Sequence, residues 1–146
     1  MKKFAIASLI ALAATAASAL EVGVTNTADY SGPGKQSVYG FTVGQTYGKL
    51  SATAGVERID SRDRVSIVGG YEVAKIGTAS LSVKTGAAYL QNPAGDNGYA
   101  MTVGAGVSIP VTKQIAFTVD LARQYGQERV QDFDGNRVTA GVSYRF

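Results

Sequence analysis

The feature that most constrains this chain is a two-residue alternation recurring along residues 20–146, with glycine almost always on one of its two faces. It is clearest at the C-terminus. There Val138, Ala140, Val142, Tyr144 and Phe146 share one parity, and Thr139, Gly141, Ser143 and Arg145 share the other. Period 2 is the mark of an extended strand with two unlike faces, and it leaves no room for an amphipathic helix. Seven earlier segments read the same way. Their apolar parities run through Leu20–Val24, Tyr39–Val43, Leu50–Val56, Val65–Val73, Leu81–Tyr89, Met101–Ile109 and Ile115–Leu121. In the Val65–Val73 segment the polar parity is Ser66, Val68, Gly70, Glu72 and Ala74. Eight strands are therefore expected, each near the roughly 9–11 residues that a tilted membrane crossing needs.

The connections alternate as well. Tight turns are expected around Tyr47-Gly48, around Ile76-Gly77 and over Pro110 to Lys113. Longer or more polar ones run over Asp29–Gln36, Asp60–Asp63, Gln91–Gly98 and Gly126–Asn136. Short turns on one rim and longer loops on the other belong to an all-β, eight-stranded antiparallel up-and-down transmembrane β-barrel with its chain ends on the periplasmic side.

Alternation alone leaves the sidedness open, because a soluble barrel alternates with its apolar face inward. Glycine decides it. Gly23, Gly40, Gly44, Gly55, Gly70, Gly86, Gly104, Gly106 and Gly141 lie on the polar face, and only Gly69 lies on the apolar one. An eight-stranded barrel has an interior just wide enough for side chains, so small residues belong inside and bulky apolar ones against lipid. A water-facing exterior would carry more Lys and Glu than this polar face does. Tyrosines are expected in two girdles: Tyr30, Tyr39, Tyr89, Tyr99 and Tyr125 at the outer rim, with Tyr47, Tyr144 and Phe146 at the periplasmic one.

The first 19 residues read as a secretory signal. Lys2 and Lys3 precede the short apolar run Phe4–Ala14, and Ala17-Ser18-Ala19 offers a small-x-small cleavage site. Cleavage is expected after Ala19, leaving residues 20–146 as the barrel. Lys2 and Lys3 account for two of the 14 basic side chains, so the remainder carries 12 against 11 acidic ones and no concentrated basic patch for nucleic acid. The chain has neither cysteine nor histidine. Disulfides, thiolate nucleophiles, the commonest general base and the usual zinc sites are thereby excluded. No cofactor and no metal site are expected. The Asp132-Phe133-Asp134-Gly135-Asn136 stretch lacks the rest of a calcium loop and suits a turn.

The final strand, ending Val142-Ser143-Tyr144-Arg145-Phe146, resembles the C-terminal assembly signal of bacterial outer-membrane barrels, carried by Val142, Tyr144 and Phe146. Strand count and size resemble the eight-stranded OmpA, OmpX and opacity-protein group, as a pattern over the whole mature chain. The resemblance implies residence in the bacterial outer membrane, with the barrel-assembly machinery and periplasmic chaperones as transient partners.

Two sets of residues are candidates for function. Glu21, Glu57, Arg64, Glu72, Lys84, Asp120 and Arg145 fall on the lumen parity, where unpaired charges are too costly, so an ion-pair network is expected, with Glu72 and Lys84 as diagonal neighbours. Arg58, Arg62, Arg123, Arg129 and Arg137 cluster near the longer connections and are expected to contact lipopolysaccharide phosphate, which guanidinium forks bind well. Lys49, Lys75 and Lys113 sit on the opposite rim. The expectation is a non-enzymatic, monomeric structural or surface barrel with an ion-paired lumen, whose partners are outer-membrane lipid and lipopolysaccharide and not nucleic acid. The alternative is a narrow passive channel, porin-like, for small solutes or ions. A lipid-modifying enzyme is disfavoured by the absence of histidine.

Overall fold

The computed structural model describes residues 20–30, 36–59, 62–91, 97–127 and 134–146. It contains eight strands: β1 (Leu20–Asp29), β2 (Gln36–Tyr47), β3 (Leu50–Ile59), β4 (Arg62–Ile76), β5 (Ala79–Gln91), β6 (Gly98–Pro110), β7 (Ile115–Gly126) and β8 (Gly135–Arg145). Each strand pairs antiparallel with its sequence neighbour, and β1 pairs with β8, so the sheet closes on itself. Closure matters in lipid, where no water is available to satisfy a free strand edge. The export signal of residues 1–19 and the proposed cut after Ala19 lie outside the described residues.

The tight turns form as their sequences require. Gly48 and Gly77 have φ of 59° and 62°, a left-handed backbone that glycine adopts without a Cβ penalty. At the third, the Thr112 hydroxyl accepts from the N–H groups of Gln114 and Ile115, and Val111 N–H donates to Ile115 O at 2.8 Å. At the other rim the Asp60–Asp63 connection is the polar kind rather than the long kind. Ile59 pairs with Arg62, so only residues 60 and 61 separate β3 from β4.

The apolar parity faces outward. Ile67, Leu121 and Val103 are 66%, 60% and 54% exposed, an arrangement that water would penalise and acyl chains welcome. The described tyrosines of both girdles are likewise exposed, with Tyr89 and Tyr99 tilted against each other at 5.1 Å between ring centres on one rim and Tyr144 edge-on to Phe146 at 4.9 Å on the other. The packed interior is small and lies at the end of the lumen with the longer connections, where Val38, Leu90, Ala100, Thr27 and Gln124 are buried.

One expectation is corrected in β4. Glu72 pairs with Ser82 but Ala74 pairs with Leu81, so Val73 is an extra residue in a β-bulge. A bulge inserts one unpaired residue and reverses the parity beyond it. Ala74 therefore shares the outward side with Leu81 rather than the lumen side with Glu72. Lys75, opposite Ser80, takes the lumen parity in its place.

Candidate functional site in the lumen

The lumen charges are organised in three tiers. The first lies at the end bearing the longer connections. Glu57 of β3 accepts from Arg64 Nη1 of β4 at 2.5 Å and from Arg137 Nη2 of β8 at 2.7 Å, both on Oε2. Its other oxygen, Oε1, accepts from Thr27 Oγ1 of β1 at 3.1 Å, and the Thr139 hydroxyl lies 2.9 Å from that of Thr27. Arg137 Nε also lies 3.1 Å from Asp29 Oδ2. Two guanidiniums and two carboxylates thus balance inside the sheet, with Arg64 and Arg137 only 5% and 4% exposed. Neighbouring strands explain the Glu57–Arg64 pair, whose residues are direct partners in register. The reach from β8 to β3 needs something more. Gly40 of β2 lies between, and a Cβ there would come 2.7 Å from both Glu57 Cγ and Thr25 Oγ1. The glycine leaves the gap through which the side chains meet.

The second tier is a single pair, Lys84 Nζ of β5 on Asp120 Oδ1 of β7 at 2.6 Å. The strand between them, β6, contributes Gly106. A Cβ at this position would collide with Asp120 Oδ1 and come 3.0 Å from both Lys84 Cε and Nζ. The third tier sits at the periplasmic mouth, where Arg145 of β8 donates Nε–H to Glu21 Oε1 of β1 at 2.7 Å. Two small cavities separate the tiers. One of about 130 Å³ lies between the Glu57 cluster and the Lys84–Asp120 pair. One of about 210 Å³ lies between that pair and the mouth lined by Glu21 and Arg145.

Of the residues expected in the lumen network, Glu57 meets Arg64, Lys84 meets Asp120 and Glu21 meets Arg145. Glu72 does not meet Lys84. It lies 3.6 Å from Lys75, which the bulge brings to the lumen side, while Lys84 turns the other way, across β6 to Asp120 of β7. Two members were missed. Asp29 and Arg137 were assigned to a loop and to the rim, yet they are direct register partners at the ends of β1 and β8. Parity was the available signal: Asp29 continues Glu21, Gly23, Thr25 and Thr27, and Arg137 continues Thr139, Gly141, Ser143 and Arg145. Arg137 is accordingly removed from the lipopolysaccharide set, because its guanidinium is buried between Asp29 and Glu57.

The remaining rim arginines differ from one another. Arg58 is exposed on the outer face and paired with Asp63 at 3.0 Å. Arg123 is also exposed on the outer face. Arg62 begins β4, with its side chain outside the description, and Arg129 lies outside the described residues. Asp132 and Phe133 of the calcium-like stretch are outside as well, while Asp134 accepts from Gly126 N–H and Gly135 and Asn136 belong to β8. At the other end of β8, Val142, Tyr144 and Phe146 all point outward, and Phe146 N–H donates to Leu20 O at 3.0 Å.

Solved structures share this architecture. The N-terminal β-barrel domain of Pseudomonas aeruginosa OprF superposes with a TM-score of 0.70 at 16% identity, over 88% of this chain and 98% of that one. A de novo designed barrel, TMB2.3, gives 0.63 at 21% identity, over 88% and 94%. The outer membrane protein Ail of Yersinia pestis in a phospholipid nanodisc gives 0.53 at 13%, over 88% and 99%. At these identities the likeness is one of fold. No curated protein matches the chain in sequence.

Closed, eight-stranded, greasy outside and charged within, the molecule is an outer-membrane β-barrel protein, resident in the bacterial outer membrane and made with a signal peptide. The chain belongs to the YfaZ precursor family, whose model matches residues 1–130.

Proposed function

We propose that the protein is a non-enzymatic structural or surface component of the outer membrane, monomeric, with a lumen held shut by its ion pairs. The observation that carries this reading is the convergence on Glu57 of side chains from β1, β4 and β8, which ties distant walls of the barrel together. The buried Val38, Leu90 and Gln124 fill the same end. A chain without histidine or cysteine supports the non-enzymatic part, and so does a lumen whose carboxylates are each held by a cation or hydroxyl rather than presented to a substrate cleft. Outer-membrane lipid and lipopolysaccharide are its lasting partners in this reading, and the barrel-assembly machinery and periplasmic chaperones its transient ones.

The channel alternative draws on the two cavities. At about 130 and 210 Å³ they have room for ordered water but fall below the roughly 300 Å³ at which ligand pockets begin. A pore would require the Lys84–Asp120 pair to part and the Glu57 cluster to open as well. Planar-bilayer recording of the refolded protein separates the readings. The plugged barrel gives no reproducible single-channel steps, together with heat-shifted gel mobility; steps of constant size establish the channel. Turnover of lipid A or phospholipid by the same preparation overturns the non-enzymatic assignment.

A further inference from the structure

We propose that the outer face of β7 and β8 carries a discrete binding site for a phosphate-bearing glycolipid of the outer leaflet, centred on Arg123. The proposal deepens the membrane reading above and rests on it. Six residues define the site, three that hold or flank the cation and three that line the groove beneath it. Arg123 lies over the Tyr125 ring at 5.7 Å and donates through Nη1 to Asn136 Oδ1 at 3.3 Å, so the guanidinium is held in place from two sides. Neither neighbour is charged. Among the described residues Arg123 has no carboxylate partner, whereas Arg58 has Asp63, Arg64 and Arg137 have Glu57, and Arg145 has Glu21. A fixed, exposed, uncompensated guanidinium is an anion site, with several N–H donors left for phosphate oxygens.

What lies beneath it selects the rest of the ligand. Arg123 is the register partner of Asn136, and one step deeper on the same outward face Leu121 partners Val138. An open groove of about 610 Å³ runs between them, bounded on the β1 side by Tyr30, whose N–H donates to Asn136 O at 2.9 Å. Cation and amide at the top, aliphatic walls below and a tyrosine at the edge match a headgroup phosphate with an acyl chain descending from it. The site stands at the rim opposite the tight turns, which is the outer-leaflet end. A free phosphate would use the guanidinium alone, and a neutral lipid would use the groove alone. Only a phosphorylated lipid uses both.

The test is native mass spectrometry of the refolded barrel, loaded with lipid A bearing its phosphates, with dephosphorylated lipid A, or with inorganic phosphate as competitor. Heat-shifted mobility is checked first, so that failure of the barrel itself is seen before lipid is added and overturns the membrane reading together with the site. Arg123→Gln is expected to weaken lipid A binding about tenfold, the usual scale of one charge-assisted contact. Arg58→Gln, on an arginine already paired, is expected to leave it unchanged. Dephosphorylation should lower wild-type binding to the level of Arg123→Gln, and millimolar inorganic phosphate should fail to displace the lipid. The proposal is overturned if Arg123→Gln binds like wild type, if dephosphorylated lipid A binds equally well, or if inorganic phosphate displaces the lipid, which would mark a simple anion site.

Discussion

Glu57 of β3 and Arg137 of β8 meet at 2.7 Å inside the barrel, 80 residues apart in sequence and with β1 and β2 between their strands. Arg64 shares the same carboxylate oxygen from the other side. One carboxylate therefore neutralises parts of two buried guanidiniums, and Asp29 completes the balance. Removing one member of such a group leaves charge buried without its counterpart, which costs more than the intact group contributes.

Glu57→Gln tests this directly, since it keeps the side chain's shape and removes its charge. It should destabilise the folded barrel by about 3–5 kcal/mol, because buried Arg64 loses the carboxylate it donates to. Adding Arg64→Met should return much of that loss, leaving Arg137 with Asp29 as a closed pair. Urea unfolding in lipid vesicles reads both values. A midpoint unchanged by Glu57→Gln would mean that the cluster is solvated rather than desolvated.

The sidedness of the sheet makes a separate prediction. Val103, near the middle of β6, is exposed, while its neighbour Thr102 is buried in the lumen. Val103→Arg should cost about 2–4 kcal/mol in a bilayer, the penalty for a cation facing lipid at mid-depth. The same variant in a water-facing position would cost almost nothing. Vesicle refolding of the two proteins side by side distinguishes the cases.

The strands themselves were legible because both requirements of a membrane sheet, a backbone paired throughout and two unlike faces, leave a period-2 record in the side chains. All eight strands, the three glycine- or threonine-shaped turns and the outward greasy face could be read this way. Two things could not, and a third was legible but overridden. The extra residue at Val73 leaves no mark, since Val73 and Ala74 are both plausible on either face, and so Ala74 was placed on the wrong one and Glu72 was given Lys84 instead of Lys75. Asp29 was lost to the turn-rich stretch that follows it, although its parity put it inside. Contacts between strands that are not neighbours, such as Lys84 with Asp120, depend on barrel closure and on which intervening residue is small, and alternation is silent about both.

The tiers in the lumen predict how conductance responds to mutation. Lys84→Ala with Asp120→Ala removes the only ion pair described between the two cavities and should merge them. The Glu57 cluster and the packed Val38, Leu90 and Gln124 still close the outer end. Bilayer recordings of the double variant should therefore stay silent. Constant single-channel steps from it would place the barrier at the middle tier instead.

Glycine supplies the last prediction, because two glycines two ladder strands apart have opposite jobs. At Gly106 an added Cβ would run into Asp120 Oδ1 and crowd Lys84, so the missing side chain is what lets the pair close across β6. At Gly69 the nearest atom to an added Cβ is Thr85 O at 3.9 Å, and the position faces lipid. Gly106→Ala should destabilise the barrel by about 1–3 kcal/mol through overpacking. Gly69→Ala should be neutral or stabilising by about 0.5–1 kcal/mol, since alanine gives up less conformational freedom on folding than glycine does. In a Lys84→Ala, Asp120→Ala background the penalty at Gly106 should largely vanish, because the atoms in its way are gone, while the effect at Gly69 should persist. Unfolding midpoints for the four combinations in one lipid decide it, and a Gly106→Ala cost that survives loss of the ion pair would assign that glycine to backbone packing instead.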